Sequence, residues 1–256
     1  LFYAFYPLWW IFHQWDMLIA NRFQSAWNLG FDTLTVFPDA GTGATTVDGR
    51  VWREVVSEAW TTIRTSAGNN ASAAEAETRF CRIGSSTTTD EYQDLMRSIY
   101  TFDTSSLDLG ANITAATISF FGAITTQDAL GDPKANVVSS TPASNNNLVN
   151  ADYGQLGTTK LSDTDIDFSV WSTIDYNDLV LNALGRDNIS KTGISRFGGR
   201  EATYDITGTA PTWSSDVVAE VISKTADTAG TANDPKLVIT YTPGTAKRNL
   251  LLMDIG

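Results

Sequence analysis

Residues Tyr100–Gly122 read YTFDTSSLDLGANITAATISFFG. Two runs rich in β-branched and aromatic residues flank a segment of Asp, Thr, Ser, Gly and Asn, which is the composition of strand, loop and strand. In the second run a period of two puts Ile113, Ala115, Thr117, Ser119 and Phe121 on one face and Thr114, Ala116, Ile118 and Phe120 on the other. Toward its end apolar side chains fall on both faces, which predicts a strand covered by protein on both sides. Little in the segment can do acid–base or nucleophilic work, so a chain built of such pieces is expected to act through its shape and surface.

The pattern extends outward from there. From Phe31 to about Thr242 short runs recur between Gly, Asn, Asp and Ser clusters: TLTVFP, VWREVV, WTTIRT, TRFCRIG, LMRSIYTFD, ITAATISFFGAI, KANVVSST, LVLNA, ISRFGGREA and KLVITYT, each read as a strand. VNADYGQLG and NALGRDNIS each read as a short helical turn. Many short strands with few helices predict a β-sandwich or jelly roll. No internal repeat is evident, and no low-complexity linker marks a second domain, so the 256 residues are read as one large all-β unit over 31–243.

A formal net charge of −12 would repel a phosphate backbone, which excludes nucleic acid as an expected partner. Cys81 is the single cysteine, so no intramolecular disulfide can form and packing must supply the stability. Its apolar neighbours in TRFCRIG predict a buried, inert thiol. The Ser-, Thr- and Asn-rich, Lys-poor composition is that of extracellular and virion-exposed β proteins.

The two ends differ from the rest. Residues 1–30, LFYAFYPLWWIFHQWDMLIANRFQSAWNLG, hold Trp9, Trp10, Trp15 and Trp27 and the only histidine, His13. Neither a basic n-region nor a small-residue cleavage site is visible, and Pro7, His13, Gln14 and Asp16 interrupt any membrane span. From Leu8 onward Ile11, Phe12, Trp15, Leu18, Ile19, Phe23 and Ala26 form one stripe, the spacing of an amphipathic helix ending at Gly30. Three covers suit it: its own β-domain, a second subunit or assembly, or a membrane interface, the last not favoured. The tail over 244–256 ends in an apolar cluster, NLLLMDIG, which pairs either with its own sheet or with a neighbour. The arm residues Phe5, Trp9, Trp10, Phe12, Trp15, Leu18 and Phe23 and the tail residues Leu250, Leu251 and Leu252 are therefore read as an assembly device.

RSIYTFDTSSLDLGANITAATISFFG resembles the DNRLRE-type jelly-roll domains, on Arg97, Phe102, Asp103, Ser105, Ser106 and Leu107, then Ile113, Thr114, Ala116, Thr117, Ile118 and Phe120. Phe197, Arg200 and Glu201 are similar to that family's F-x-x-R-E. Asp234, Pro235, Leu237, Val238, Ile239 and Tyr241 are similar to its closing D-P-x-L-x-[VI]-x-Y. The similarity covers roughly residues 78–242, and the DNRLRE string itself is absent. The resemblance implies a jelly-roll β-sandwich of cell-surface, secreted or virion proteins, related in shape to carbohydrate-binding modules, with a role in structure or adhesion. On the residues themselves, Phe102 and Leu107 are expected as core plugs beside a loop capped by Asp103, Ser105 and Ser106. Arg97 and Glu201 are expected to form a partly buried pair.

Catalysis has little to draw on. A triad would need His13, with no G-x-S-x-G elbow present, and a zinc site lacks ligands. In SDTDIDFS, Asp163, Asp165 and Asp167 alternate and are read as the candidate calcium ligands; an EF-hand fails because the twelfth position is Ile174. Trp171, Tyr176 and Trp213, with Tyr153, are aromatics beside Asp, Asn or Ser and are the candidate glycan platforms. The functional expectation is a non-enzymatic structural or surface-displayed component, outside the cell or on a phage virion, whose partners are copies of itself or other virion or surface proteins. The alternatives are a carbohydrate-binding adhesion module and an acid-pair glycosidase, the latter needing two carboxylates facing across a cleft.

Overall fold

The structure is a computed structural model that describes residues 30–41, 44–127 and 130–244. The assembly-device residues Phe5, Trp9, Trp10, Phe12, Trp15, Leu18 and Phe23 and Leu250, Leu251 and Leu252 lie outside the described residues. In chain order come β1 (Asp32–Val36), β2 (Asp48–Ala59), α1 (Trp60–Thr65), β3 (Asn70–Ser72), β4 (Glu77–Ser85), β5 (Glu91–Asp103), β6 (Asn112–Gln127), β7 (Lys134–Ser139), β8 (Ile166–Asp167), β9 (Tyr176–Val180), α2 (Ala183–Asp187), β10 (Ile194–Glu201), β11 (Val218–Lys224) and β12 (Lys236–Thr242). Single turns of 3₁₀ helix occupy Asn150–Gly154 and Phe168–Val170. The fold is all-β and antiparallel in every pairing.

Two long strands organise it. β5 is paired along one edge by β2, from Asp48 opposite Tyr100 to Ala59 opposite Glu91. Its other edge is divided between β4, up to Arg97, and β10, from Ser98 onward. β6 is shared in the same way: β12 pairs Asn112–Ser119, β11 pairs Gly122–Gln127, and β9 lies along Thr117–Phe121 on the opposite edge. Passing from one partner to the other, the sheet curls back on itself. Phe120 of β6 thereby meets Phe80 of β4 at 4.7 Å and Tyr100 of β5 at 4.6 Å, ring centre to ring centre. These rings, with Phe102, Phe168 and Phe197, form the centre of a fully buried core.

The quoted strand is covered fully along the middle of one face and in part on the other, where Ser119 is buried and Ile113 packs against the core. Ala116, Ile118 and Phe120 are buried, whereas Ala115 is exposed and Thr117 and Phe121 are partly exposed. On that second face Phe121 packs edge-on against Tyr176 of β9 at 5.4 Å. The loop after β5 follows expectation. Phe102 and Leu107 are buried plugs, and Asp103 Oδ1 accepts the Ser105 amide at 2.9 Å.

WTTIRT is α1, not a strand. Trp60 and Ile63, three residues apart, are the two buried positions, a helical spacing that the β-branched threonines and isoleucine disguised. β11 was not anticipated, although it lies between β4 and β6 at the middle of the sheet. In VAEVISK the apolar run is broken by Glu220, which is buried through ion pairs to Arg82 at 3.0 Å and Arg79 at 3.2 Å.

The expected Arg97–Glu201 pair does not form. Arg97 instead clamps Asp205 with two nitrogens, at 2.8 and 2.7 Å, and Arg200 does the same at 2.8 and 2.6 Å. Glu201 accepts backbone amides from Lys134, Thr203, Tyr204 and Asp205 at 2.6–2.9 Å. The remaining guanidinium hydrogens reach the carbonyls of Arg64, Tyr153 and Gly157. This network fastens β5 and β10 to α1 and to the 150–157 segment, and every charge in it has a partner.

Candidate functional site

Sequence neighbours far apart in the chain meet at one end of the sheet. Because β1 runs antiparallel to β12, with Val36 opposite Leu237, the residues leaving β1 lie beside those entering β12. Because Asp48 opens β2 opposite Tyr100, the start of β2 lies near the end of β5. The segment joining β11 to β12 closes the group: Ala226 donates its amide to Asp48 Oδ2 at 2.9 Å, and Gly41 donates its own to Asp227 Oδ1 at 2.6 Å.

Between these elements opens a cleft of about 690 Å³, lined by Thr35–Ala40, Asp103, Ala226–Thr231 and Asp234. That is the size range of small-ligand sites. Phe37 is 36% exposed in its wall. The charged lining residues are Asp39, Asp103, Asp227 and Asp234, without a lysine, arginine or histidine among them.

The four acids do not stand alike. Asp39 Oδ2 accepts the amides of Thr45 and Thr46 at 2.8 and 3.0 Å, holding the turn before β2. Hydrogen bonds from Ser105 hold Asp103 below the usual carboxylate range. Asp234 is buried and pushed upward by desolvation. Behind the cleft sits Asp48, 1% exposed, whose carboxyl is pushed up to about 7, mainly by burial, with the charges of Asp227 and Asp234 adding to the rise. Asp48 Oδ1, Asp227 Oδ2 and Asp234 Oδ1 are all shut from solvent without a hydrogen-bond partner.

The aromatic residues singled out in the sequence are placed differently. Trp171 is buried, its indole nitrogen donating to the Ile222 carbonyl at 3.2 Å and its ring 5.5 Å from Phe80, so it is a core residue with no face for a sugar. Tyr153 is likewise buried, its hydroxyl donating to the Ile63 carbonyl at 2.7 Å. Tyr176 is partly exposed, but one face carries the Lys236 ammonium at 3.6 Å and its hydroxyl donates to the carbonyls of Ala232 and Asp234. Trp213 is partly buried, with its indole nitrogen enclosed. The structure does not bring these residues together on one platform, and the ring that does reach the cleft, Phe37, was read only as the end of a strand.

Asp163, Asp165 and Asp167 are spent separately. Asp163 accepts from Asn182 at 3.0 Å, Asp165 from Asn136 and Lys160 at 2.7 Å each, and Asp167 caps the Ser169 amide at 2.8 Å. Asp163 and Asp165 lie in a bend ahead of β8, which starts only at Ile166, so no strand face aligns the three aspartates, and the expected calcium site there is not formed. Among the described residues no three of His, Cys, Asp and Glu close into a ready metal-binding group. Nor is any described helix long and apolar enough to cross a membrane.

No family model matches the chain, which leaves the DNRLRE-type resemblance on its motif residues alone. No curated protein matches it. Among solved structures, a carbohydrate-binding module specific for non-crystalline cellulose aligns with 81% of this chain and 96% of its own, at 13% identity and a TM-score of 0.26, too low to establish a shared fold.

Proposed function

We propose that the domain is a non-enzymatic β-sandwich of jelly-roll type, displayed outside the cell or on a virion, that binds carbohydrate in the acidic cleft. The observation that carries this reading is the pairing of an accessible Phe37 ring with several carboxylates in a cleft of ligand size. A pyranose stacks on a ring face, and its hydroxyls donate to fixed acceptors. Since all charged lining residues are acidic, the cleft suits neutral or amino sugars and disfavours uronates and sulfated glycans. Asp48 is too enclosed to touch a substrate, which favours binding over acid-pair hydrolysis.

The test is calorimetric titration of the full chain with cellohexaose, mannohexaose, a glucosamine hexaose and an oligogalacturonate, with the products analysed for cleavage. Saturable binding of a neutral hexaose without cleavage supports the reading. Cleavage would replace it by the glycosidase, and absence of binding by all neutral and amino sugars would sink it.

A second reading is supported by the aromatic stripe in residues 1–30: the same domain is held in an assembly by its arm and tail. Light scattering on the full chain beside a version beginning at Asp32 separates the two. Defined oligomers that become monomers on truncation support assembly, and equal monomers remove it.

A further inference from the structure

We infer that a second cleft, beside α2, binds an organic monocarboxylate, with the charge held by Arg186 and Lys191 and the apolar body resting on Ile113 and Ile189. This cleft encloses about 310 Å³, at the small end of ligand sites, and shares no lining residue with the acidic one. β9 runs antiparallel to β6, with Val180 opposite Thr117, so the chain leaving β9 turns into α2 beside the start of β6. That brings Arg186 and Asp187 of α2, with Ile189 and Lys191 just after it, against Asn112 and Ile113. The frame is pinned. Asn182 Oδ1 caps the Gly185 amide at 3.0 Å, Asn188 Nδ2 donates to the Arg196 carbonyl at 2.8 Å, and Ser195 Oγ accepts the Ser190 amide at 2.9 Å.

Its charges set this cleft apart. Among the described residues, the lysines and arginines without a carboxylate in ion-pair range are Arg186, Lys191, Arg196 and Lys236. Arg196 is taken up by Asn145 Oδ1 at 2.7 Å, and Lys236 by the ring of Tyr176 at 3.6 Å. The other two line one cleft, in a chain of net charge −12 where acids are plentiful. Arg186 gives one nitrogen to the Leu181 carbonyl at 3.0 Å, which fixes the guanidinium and leaves its other donors for a ligand. The Lys191 ammonium has no partner among the described residues. Asp187 also lines the cleft and pairs with neither, so two cations against one acid leave a single positive charge. A monoanion matches that charge, whereas a phosphate dianion would exceed it and be repelled by Asp187. The planar fork of an arginine fits a carboxylate. The floor of Ile113 and Ile189 is aliphatic and the lining holds no aromatic ring, so a sugar has nothing to stack on and an apolar acid fits better.

The experiment uses the full chain at pH 7 without sugar, so its outcome is independent of the carbohydrate reading. Phenylacetate, its neutral counterpart 2-phenylethanol and inorganic phosphate are titrated separately at matched ionic strength, and backbone and isoleucine methyl signals are followed by NMR. Phenylacetate should give saturable shifts at Asn112, Ile113, Ile189 and Lys191, with the alcohol and phosphate each binding about tenfold more weakly or worse. Lys191→Gln should weaken phenylacetate about fivefold and Arg186→Gln about tenfold. Should Arg186→Gln not fold, Lys191→Gln and Lys191→Glu carry the test, since the ammonium they remove holds nothing else in place. Lys236→Gln, which takes away the cation over Tyr176, should leave the affinity unchanged. The absence of saturable shifts in the unaltered chain would overturn the inference. So would binding that survives the Lys191 and Arg186 substitutions, or alcohol or phosphate binding as tightly as phenylacetate.

Discussion

Asp205 and Asp48 are both aspartates shut away from water, and their surroundings are opposites. Asp205 is gripped by Arg97 and Arg200, which hold its carboxyl well below the usual range despite the burial that pushes the other way. Asp48 has one amide donor, two acidic neighbours and an oxygen with nothing to bond, and its carboxyl rises to about 7. The difference teaches how to tell a structural charge from a site. Where every lone pair is met, burial makes a pin; where lone pairs are left over, burial makes a charge that the fold holds at a cost.

The largest effect should come from breaking the pin. Asp205→Ala leaves two buried guanidiniums uncompensated and should cost about 3–5 kcal/mol, measured by urea unfolding at pH 7. A loss under about 1 kcal/mol would mean that the network is not the fastening described here.

Breaking the other side should work in reverse. Asp48→Asn removes a charge that burial penalises, keeps an acceptor for the Ala226 amide, and should stabilise the fold at pH 8 by on the order of 2–4 kcal/mol. The gain should shrink as pH falls below 7 and vanish only below about pH 4, where the unfolded chain carries the proton as well. A variant less stable than the parent at pH 8 would show that the negative charge is compensated from within the chain.

The pH profile of the unaltered chain sharpens the same contrast. Asp48 is raised in the folded state, so the fold binds its proton more tightly than the unfolded chain does, and stability grows as pH falls from 8 toward 5. Glu201, Asp94 and Asp234, raised chiefly by desolvation, act in the same direction. Asp205 is lowered, so its contribution is present above the unfolded carboxylate range and is lost as pH falls below about 4. The protein should therefore be most stable between about pH 4 and 5. A flat profile between pH 8 and 5, or one that Asp48→Asn leaves unchanged, would show that Asp48 is not the group that sets the slope.

What was legible in the sequence follows from the range of each signal. Strands announced by period-two runs, such as ITAATISFF and KLVITYT, appear where expected, because alternation is a local property. WTTIRT misled because three threonines outweighed the spacing of Trp60 and Ile63, and β11 escaped because the partners that let Glu220 be buried lie on another strand. Asp163, Asp165 and Asp167 drew notice as neighbours in sequence, yet each is spent on its own partner. Asp48, Asp227 and Asp234 lie far apart in the chain, and only the return of β12 beside β1 and the closing of the β11–β12 segment on β2 bring them together. Trp171 and Phe37 show the same limit: which aromatic is core and which is wall depends on pairings that no local window contains.

The smallest effect on stability, and the sharpest on function, belongs to Phe37. It is partly exposed in the cleft wall just past the end of β1, so removing its ring takes little from the core. Phe37→Ala should leave the unfolding free energy within about 1 kcal/mol, since a surface substitution away from buried networks rarely does more. If a sugar stacks on that ring, affinity for the neutral hexaose should fall at least tenfold, about 1.4 kcal/mol. Trp171→Phe, which trims a core ring and gives up the hydrogen bond to Ile222, should do the opposite, lowering stability while leaving affinity unchanged. Should Trp171→Phe weaken binding as much as Phe37→Ala does, the sugar is not stacking on the cleft wall.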